Sequence, residues 1–270
     1  MKNRKLIPFL KWAGGKRWLI PHITSLLPAK ISRYIEPFLG GGAIFFHLEP
    51  KRAVLTDLNG DLIEAYKIIK ESWDELRNEL ERHHIAHSKT YYYKVRARIP
   101  ESAVLRAARF LYLNRTCWNG LYRVNLDGVF NVPLGTKTSV ILDTDDFKRT
   151  AQLLKRAQLM VADFEETIGR TRQNDLVFAD PPYTVKHNFN NFRKYNERIF
   201  GWEDQLRLRD SLFRARDRGA HVILCNADNK EIRKLYRGFG ATIRVSRHSV
   251  LAADAAMRRT ITELIISATY

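Results

Sequence analysis

Long apolar runs are missing from this 270-residue chain. A membrane-crossing helix needs roughly 18–20 consecutive apolar residues, and no such stretch occurs, so no membrane span is expected. The basic start Met1-Lys2-Asn3-Arg4-Lys5 leads into Leu6-Ile7-Pro8-Phe9-Leu10 and meets Lys11 at once, too short an apolar stretch for a secretory signal. Cysteine is scarce. Cys117 and Cys225 stand far apart and offer neither a disulfide framework nor a zinc set, so a reducing, cytoplasmic setting is the default. Acids are scarce as well: 29 Asp and Glu face 46 Lys and Arg, a formal charge of +17. Such an excess speaks of partners rather than of fold, and it favours a polyanion such as DNA, RNA or an anionic surface. Repeats, low-complexity segments, a nucleophile elbow and a zincin motif are all absent.

What is present is an α/β rhythm, interrupted once. The length suits one large α/β domain, or one with an inserted subdomain. Arg33-Tyr34-Ile35-Glu36 reads as a strand and Pro37-Phe38-Leu39-Gly40-Gly41-Gly42 as a turn. A helix start at Ala43–Leu48 and a strand at Ala53–Thr56, ending on Asp57, complete half of a nucleotide-binding unit. From about residue 61 the pattern changes. Leu62, Ala65, Tyr66 and Ile69 recur at helical spacing over 61–82, and a second helix is expected over Ser102–Leu113. Asn114 to Gly135 carries the turn pairs Asn119-Gly120 and Asp127-Gly128 around short alternating segments, which reads as loops and a β-hairpin. Strands return at Leu159–Ala162, Leu176–Ala179, His221–Asn226, Thr242–Val245 and Thr260–Ser267, with a helix over Gln205–Arg218. Strands on both sides of 61–147 make that segment an insertion into one sheet domain.

The insertion concentrates the charge. Between Arg82 and Leu126 stand nine Lys or Arg and one acid, Glu101, interleaved with Tyr91, Tyr92, Tyr93, Tyr112, Trp118 and Tyr122. This pattern reads either as a solvated helical face with buried rings or as a nucleic-acid contact. His83, His84 and His87 include an i, i+4 pair, but without a third ligand they read as solvated rather than metal-bound.

Asp180-Pro181-Pro182-Tyr183 follows the apolar run Leu176–Ala179 directly. The run reads as a buried parallel strand, and the prolines end its ladder because neither can donate a backbone hydrogen bond. A carboxylate and an aromatic face just past a strand's carboxyl end suit a flat heterocycle with an amino group, such as a nucleobase taken out of its stack. The glycine turn lets a ligand approach bare backbone. Asp57, 15 residues beyond Gly42, can accept both hydroxyls of a ribose. With no phosphate-binding lysine after the glycines, a nucleoside fits better than a triphosphate. Asp163-Phe164 reads equally as a contact to such a nucleoside's base and as a helix-start Asp beside a core Phe. Lys11-Trp12-Ala13-Gly14-Gly15-Lys16 reads as a site loop or an anchored N-terminal loop.

Taken in order, several motifs resemble the Dam-like DNA adenine-N6 methyltransferases. They are Lys11-Trp12-Ala13-Gly14-Gly15-Lys16, Glu36-Pro37-Phe38-Leu39-Gly40-Gly41-Gly42, Asp57, Phe110-Leu111-Tyr112-Leu113-Asn114-Arg115, Trp118-Asn119-Gly120-Leu121-Tyr122-Arg123, Phe130-Asn131-Val132-Pro133 and Asp180-Pro181-Pro182-Tyr183. The resemblance spans most of the chain. It implies a doubly wound, Rossmann-like methyltransferase sheet with an inserted, mainly helical plus β-hairpin DNA-recognition domain. Residues 1–60 and 148–270 would form the S-adenosyl-L-methionine-dependent catalytic domain and 61–147 the target recognition domain. The same resemblance implies that Trp12, Gly15, Lys16, Glu36, Phe38, Gly40, Gly42, Asp57, Asp163, Phe164 and Asp180 surround the cofactor. Asp180 and the Pro181 carbonyl would accept from the target amine while Tyr183 stacks on the flipped base. Lys11, Arg115, Trp118, Asn119, Leu121, Arg123 and Pro133 would contact DNA, with Trp118 wedged into the duplex. No metal is required.

Two segments depart from the family pattern, Thr116-Cys117-Trp118 and Ser246 to Arg259, and both bear on the recognition sequence. GATC is the first expectation. The implied partners are double-stranded DNA and, in a restriction–modification setting, a cognate restriction nuclease. A monomer or weak dimer in the cytoplasm, associated with the nucleoid, is expected. An RNA adenine methyltransferase and a silent DNA-binding module on the same fold are the rival readings.

Overall fold

A computed structural model describes residues 5–125, 128–183, 200–248 and 260–269. Asp127 of the second turn pair and residues 249–259 of the divergent segment lie outside the described residues. The elements run α1 (Ile20–Thr24), β1 (Tyr34–Glu36), α2 (Ala43–Leu48), β2 (Ala53–Asp57), α3 (Gly60–Ala86), α4 (Lys89–Ala97), α5 (Ala103–Thr116) and α6 (Phe147–Leu154). They continue as β3 (Ala157–Val161), α7 (Phe164–Gly169), β4 (Leu176–Ala179), α8 (Trp202–Asp217), β5 (His221–Ala227), α9 (Lys230–Leu235), β6 (Ala241–His248) and β7 (Thr260–Ala268). Contacts sort the chain into two compact units, Met1–Ile20 with Leu39–Val161, and Pro21–Phe38 with Ala162–Tyr270. No helix among the described residues is long and apolar enough to cross a membrane.

In the first unit, β2 and β3 pair in parallel from Ala53 opposite Ala157 to Asp57 opposite Val161. The long helix α3 starts where Asn59 caps it, accepting the Leu62 N–H at 3.0 Å. Its apolar stripe of Leu62, Ile63, Ala65, Tyr66, Ile68 and Ile69 is buried, and so are Leu76 and Leu80 beyond a break at Ser72 (φ −140°, ψ 46°). It packs against β2, β3, α5 and α6, so the strands and the helical segment form one contact unit. Ser88 caps α4, a helix not expected from the sequence, by accepting the Tyr91 N–H. α5 runs three residues beyond the expected end, through Asn114, Arg115 and Thr116, all buried. The expected hairpin is rudimentary. Val124 bridges Phe130 and Cys117 bridges Leu134, both antiparallel, while Trp118–Gly120 forms a 3₁₀ turn.

In the second unit, β1 pairs with β4 and β4 with β5, all parallel. β7 lies antiparallel to both β5 and β6. β4 is buried along its whole length, as its unbroken apolar run requires. α7 and α8 pack together, and α8 packs against β5. Among the described residues the seven strands are parallel through β5 and antiparallel at β7 and β6, the mixed α/β, Rossmann-like arrangement that the resemblance implied.

Candidate functional site

In the first unit the glycine turn is tied to β2. The Leu39 N–H donates to Thr56 O at 2.9 Å, and the Gly40 N–H donates to Asp57 Oδ2 at 3.0 Å. Asp57 Oδ1 accepts from the Asn59 N–H at 3.0 Å. Burial raises the Asp57 carboxyl above its usual range, and the N–H groups of Gly40, Asn59 and Leu58 oppose that rise. Gly40 and Gly42 take left-handed φ values of 46° and 64°. A Cβ at Gly40 would lie 2.7 Å from Trp12 Cδ1, and one at Gly42 would lie 2.9 Å from the Tyr66 hydroxyl. Glycine is therefore required at both positions. Trp12 lies along this turn and stacks on Tyr122 (centroids 5.7 Å, planes 20° apart). The Tyr122 hydroxyl donates to Asp61 Oδ2 at 2.5 Å. Lys16 is buried and donates to Gly14 O at 2.8 Å, whereas Gly15 is exposed and donates its N–H to Trp12 O.

The same unit holds all of the residues expected to contact DNA. Asn114 accepts from the Lys11 N–H and donates through Nδ2 to Lys11 O and Gly120 O, which anchors exposed Lys11 beside the Trp118–Gly120 turn. The Trp118 N–H donates to Pro133 O at 2.9 Å, joining the two arms of the loop. Trp118 is 52% exposed. Asn119, Arg123 and Pro133 are exposed and Leu121 is half-buried. Arg123 Nε donates to Asn131 Oδ1 at 3.0 Å, and Asn119 holds a left-handed φ of 56°.

Arg115 corrects the sequence reading. Its guanidinium is buried and donates to both Asp145 oxygens at 2.7 Å, to Val140 O at 2.6 Å and to Phe9 O at 2.9 Å. A group so enclosed holds the scaffold rather than a phosphate. Other cations of the basic segment also have protein partners. Arg106 pairs with Glu64 at 2.6 Å at the surface, and the more buried Arg109 donates to Val95 O and Arg96 O. Tyr92 and Tyr112 are fully buried. His84 is exposed, whereas His83 and His87 are half-buried. Each Nδ1 meets a tyrosine hydroxyl at 2.9 Å, Tyr91 and Tyr112 respectively, and burial lowers His83 to about 4.

In the second unit, β4 delivers Asp180 past its buried end, with Pro181 buried behind it. The Tyr183 hydroxyl donates to Glu263 Oε2 at 2.7 Å. Burial first, then the negative charge of Asp180 and Glu263, holds this phenol well above its ordinary pKa. Glu36 is buried and accepts from the Tyr34 hydroxyl at 2.9 Å. Phe38 stacks on Phe164 (5.4 Å, 27°), and Phe200 sets its edge against Phe38 at 5.6 Å. Asp163 caps α7, accepting from the Glu165 N–H and from Arg207 at 2.8 Å, and the Arg207 guanidinium lies 4.8 Å over the Phe164 ring. Asp163 thus stands at a helix start and Phe164 is buried. Arg207, Phe200 and Glu263 escaped the sequence reading, because their partners lie tens of residues away and share no spacing motif with them.

A family model described as D12 class N6 adenine-specific DNA methyltransferase matches residues 12–250. The chain belongs to that family. It is 38% identical over 276 residues to the Type II methyltransferase M1.LlaDCHI of Lactococcus lactis subsp. cremoris, covering 98% of this chain and 97% of that one. It is 36% identical to the Type II methyltransferase M.MjaIII of Methanocaldococcus jannaschii, over 96% and 98% of the two chains. It is 33% identical to the DNA adenine methylase of Vibrio cholerae, over 97% and 96%. The chain is accordingly a DNA adenine-N6 methyltransferase, and its substrate is DNA. DNA is one of the polyanions that the basic composition favoured.

Proposed function

We propose that this methyltransferase moves the methyl group of S-adenosyl-L-methionine to N6 of an adenine flipped out of duplex DNA, within GATC. The observation that carries the reading is Asp180-Pro181-Pro182-Tyr183 at the end of buried β4, with its tyrosine held by the hydroxyl. An adenine amine is a poor nucleophile because its lone pair is delocalised into the ring. Hydrogen bonds from the amine to Asp180 and to the Pro181 carbonyl localise that pair, and Tyr183 stacks on the extruded base. The cofactor supplies an already activated sulfonium methyl, so the protein's main work is positioning.

The donor set fits such a cofactor. Gly40 and Gly42 offer backbone without Cβ atoms. The Asp57 oxygens receive backbone N–H groups from Gly40, Asn59 and Leu58, and a carboxylate with about four lone-pair sites keeps acceptor capacity for a ribose hydroxyl. Glu36, Gly15, Lys16, Trp12 and Phe38 border the cofactor, and Asp163 and Phe164 hold its adenine. Residues 1–60 and 148–270 carry the chemistry, and 61–147 the recognition. Within that segment Trp118 wedges the duplex, Arg123 reads a guanine, and Asn119, Leu121 and Pro133 meet bases. Lys11 adds a guanine contact from outside it. The enzyme works in the cytoplasm as a monomer or weak dimer, and a cognate restriction nuclease is its partner in a restriction–modification setting.

Tritium transfer from labelled S-adenosyl-L-methionine to duplex DNA, with methylation sequencing of DNA from an expressing cell, tests this reading. N6-methyladenine at GATC is expected. Transfer to RNA alone or to neither polymer overturns the reading, and a different methylated site overturns GATC.

A further inference from the structure

The geometry points to Glu263 as a positioning residue that holds the Tyr183 ring at the angle the target base needs. This rests on the proposed reading of Asp180 to Tyr183 as the base site. Three observations carry it. First, Glu263 lies on β7 opposite Ala227, the last residue of β5. β5 runs parallel to β4, so Glu263 lies at the same end of these strands as Asp180. Second, its side chain is 2% exposed and accepts the Tyr183 hydroxyl at 2.7 Å. Third, a buried carboxylate is a costly way to fill space, since an apolar side chain of similar volume is often neutral or better for stability. The hydrogen bond has a geometric use instead.

Pro181 and Pro182 fix the backbone entering Tyr183, because each ring locks its own φ. The prolines set the backbone but not the χ angles of Tyr183, which decide where the ring lies. A hydrogen bond at the far end of the phenol ties the ring at two points, and a stacked base then meets a plane already set. The high phenol pKa keeps the hydroxyl protonated, hence a donor, across the working pH range. A misplacement near 1 Å can cost about a hundredfold in rate.

The test uses the full chain, plasmid DNA lacking adenine methylation and labelled S-adenosyl-L-methionine. Five variants are compared with wild type: Tyr183→Phe, Glu263→Leu, Glu263→Gln, the double Tyr183→Phe/Glu263→Leu, and Asp180→Ala. Tyr183→Phe and Glu263→Leu should each lower kcat about tenfold or more, while KM for DNA and affinity for S-adenosylhomocysteine stay within about twofold. The double variant should be no worse than the more damaging single one, because both remove the shared contact. Glu263→Gln keeps an acceptor oxygen and should restore most of kcat. Tyr183→Phe at wild-type kcat overturns the inference, and so do additive losses in the double variant. If Glu263→Leu does not fold, Tyr183→Phe, which removes one oxygen, decides alone. Asp180→Ala separates the two levels. Its inactivity beside a fully active Tyr183→Phe leaves the base-site reading standing and this inference overturned. Activity in Asp180→Ala overturns both.

Discussion

Replacing Arg115 by Met distinguishes a scaffold role from a DNA contact. The guanidinium and the Asp145 carboxylate are 1% and 6% exposed and meet at 2.7 Å. The same guanidinium donates to the carbonyls of Val140 and Phe9, and Asp145 also accepts the Leu142 N–H. Arg115 therefore ties α5 to the segment before α6 and to the N-terminal strap that leads to Lys11. Removing it leaves a carboxylate buried without its counter-charge, which costs about 3–5 kcal/mol. At about 2–4 °C per kcal/mol for a chain of this size, Tm should fall by about 10 °C. Replacing the pair together, Arg115→Met with Asp145→Leu, should recover much of that loss, because apolar side chains can substitute for a buried ion pair. Thermal melts followed by circular dichroism give all three values. DNA affinity measured against salt supplies the second readout. A lost phosphate contact would reduce the slope of log K against log salt by about 0.9, whereas a scaffold residue leaves the slope of the folded variant unchanged. A variant that melts like wild type and shows the reduced slope refutes the scaffold role and returns Arg115 to the DNA interface.

Asp57→Ala should weaken S-adenosylhomocysteine binding in calorimetry while DNA binding persists, and unchanged affinity moves the cofactor elsewhere. Arg123→Ala should relax one position of the methylated site, at a cost of about 1–3 kcal/mol in discrimination. Trp118→Ala should instead lower activity at every site, and methylation sequencing of both variants separates the outcomes. His83 has a folded pKa lowered to about 4 from 6.5. Its stabilising contribution is therefore complete above pH 6.5 and is lost as the pH falls toward 4, by at most about 3 kcal/mol. Melts of His83→Gln should depend less on pH over that range than wild type, and parallel curves would refute the assignment.

Local pattern carried much of this protein. The apolar runs Ala53–Thr56, Leu176–Ala179 and His221–Asn226 are strands because they are unbroken and bounded by polar or turn residues. Asp57 and Asp180 stand at strand ends because the chain must leave the sheet there. The helical spacing from Leu62 onward built α3, and the glycines of the Gly40 turn took the left-handed angles that only glycine adopts cheaply. The family was legible for the same reason: its motifs are short, ordered and local.

The role of each charged or aromatic side chain was decided otherwise. Nothing near Arg115 in the sequence says that Asp145 will face it, so a buried strut read as a DNA contact. Arg106 and Arg109 likewise sit in a basic run yet face Glu64 and backbone carbonyls. The tyrosines that looked ready to stack on bases include Tyr92 and Tyr112, closed inside the helical segment, and of that group Trp118 and Tyr93 stand well exposed. Glu263 reaches Tyr183 across 80 residues of chain, and Arg207 reaches Asp163 across 44. Periodicity reports which way a residue points from its own element. It cannot report what the fold brings opposite, and a charge or a hydroxyl takes its function from that opposing group.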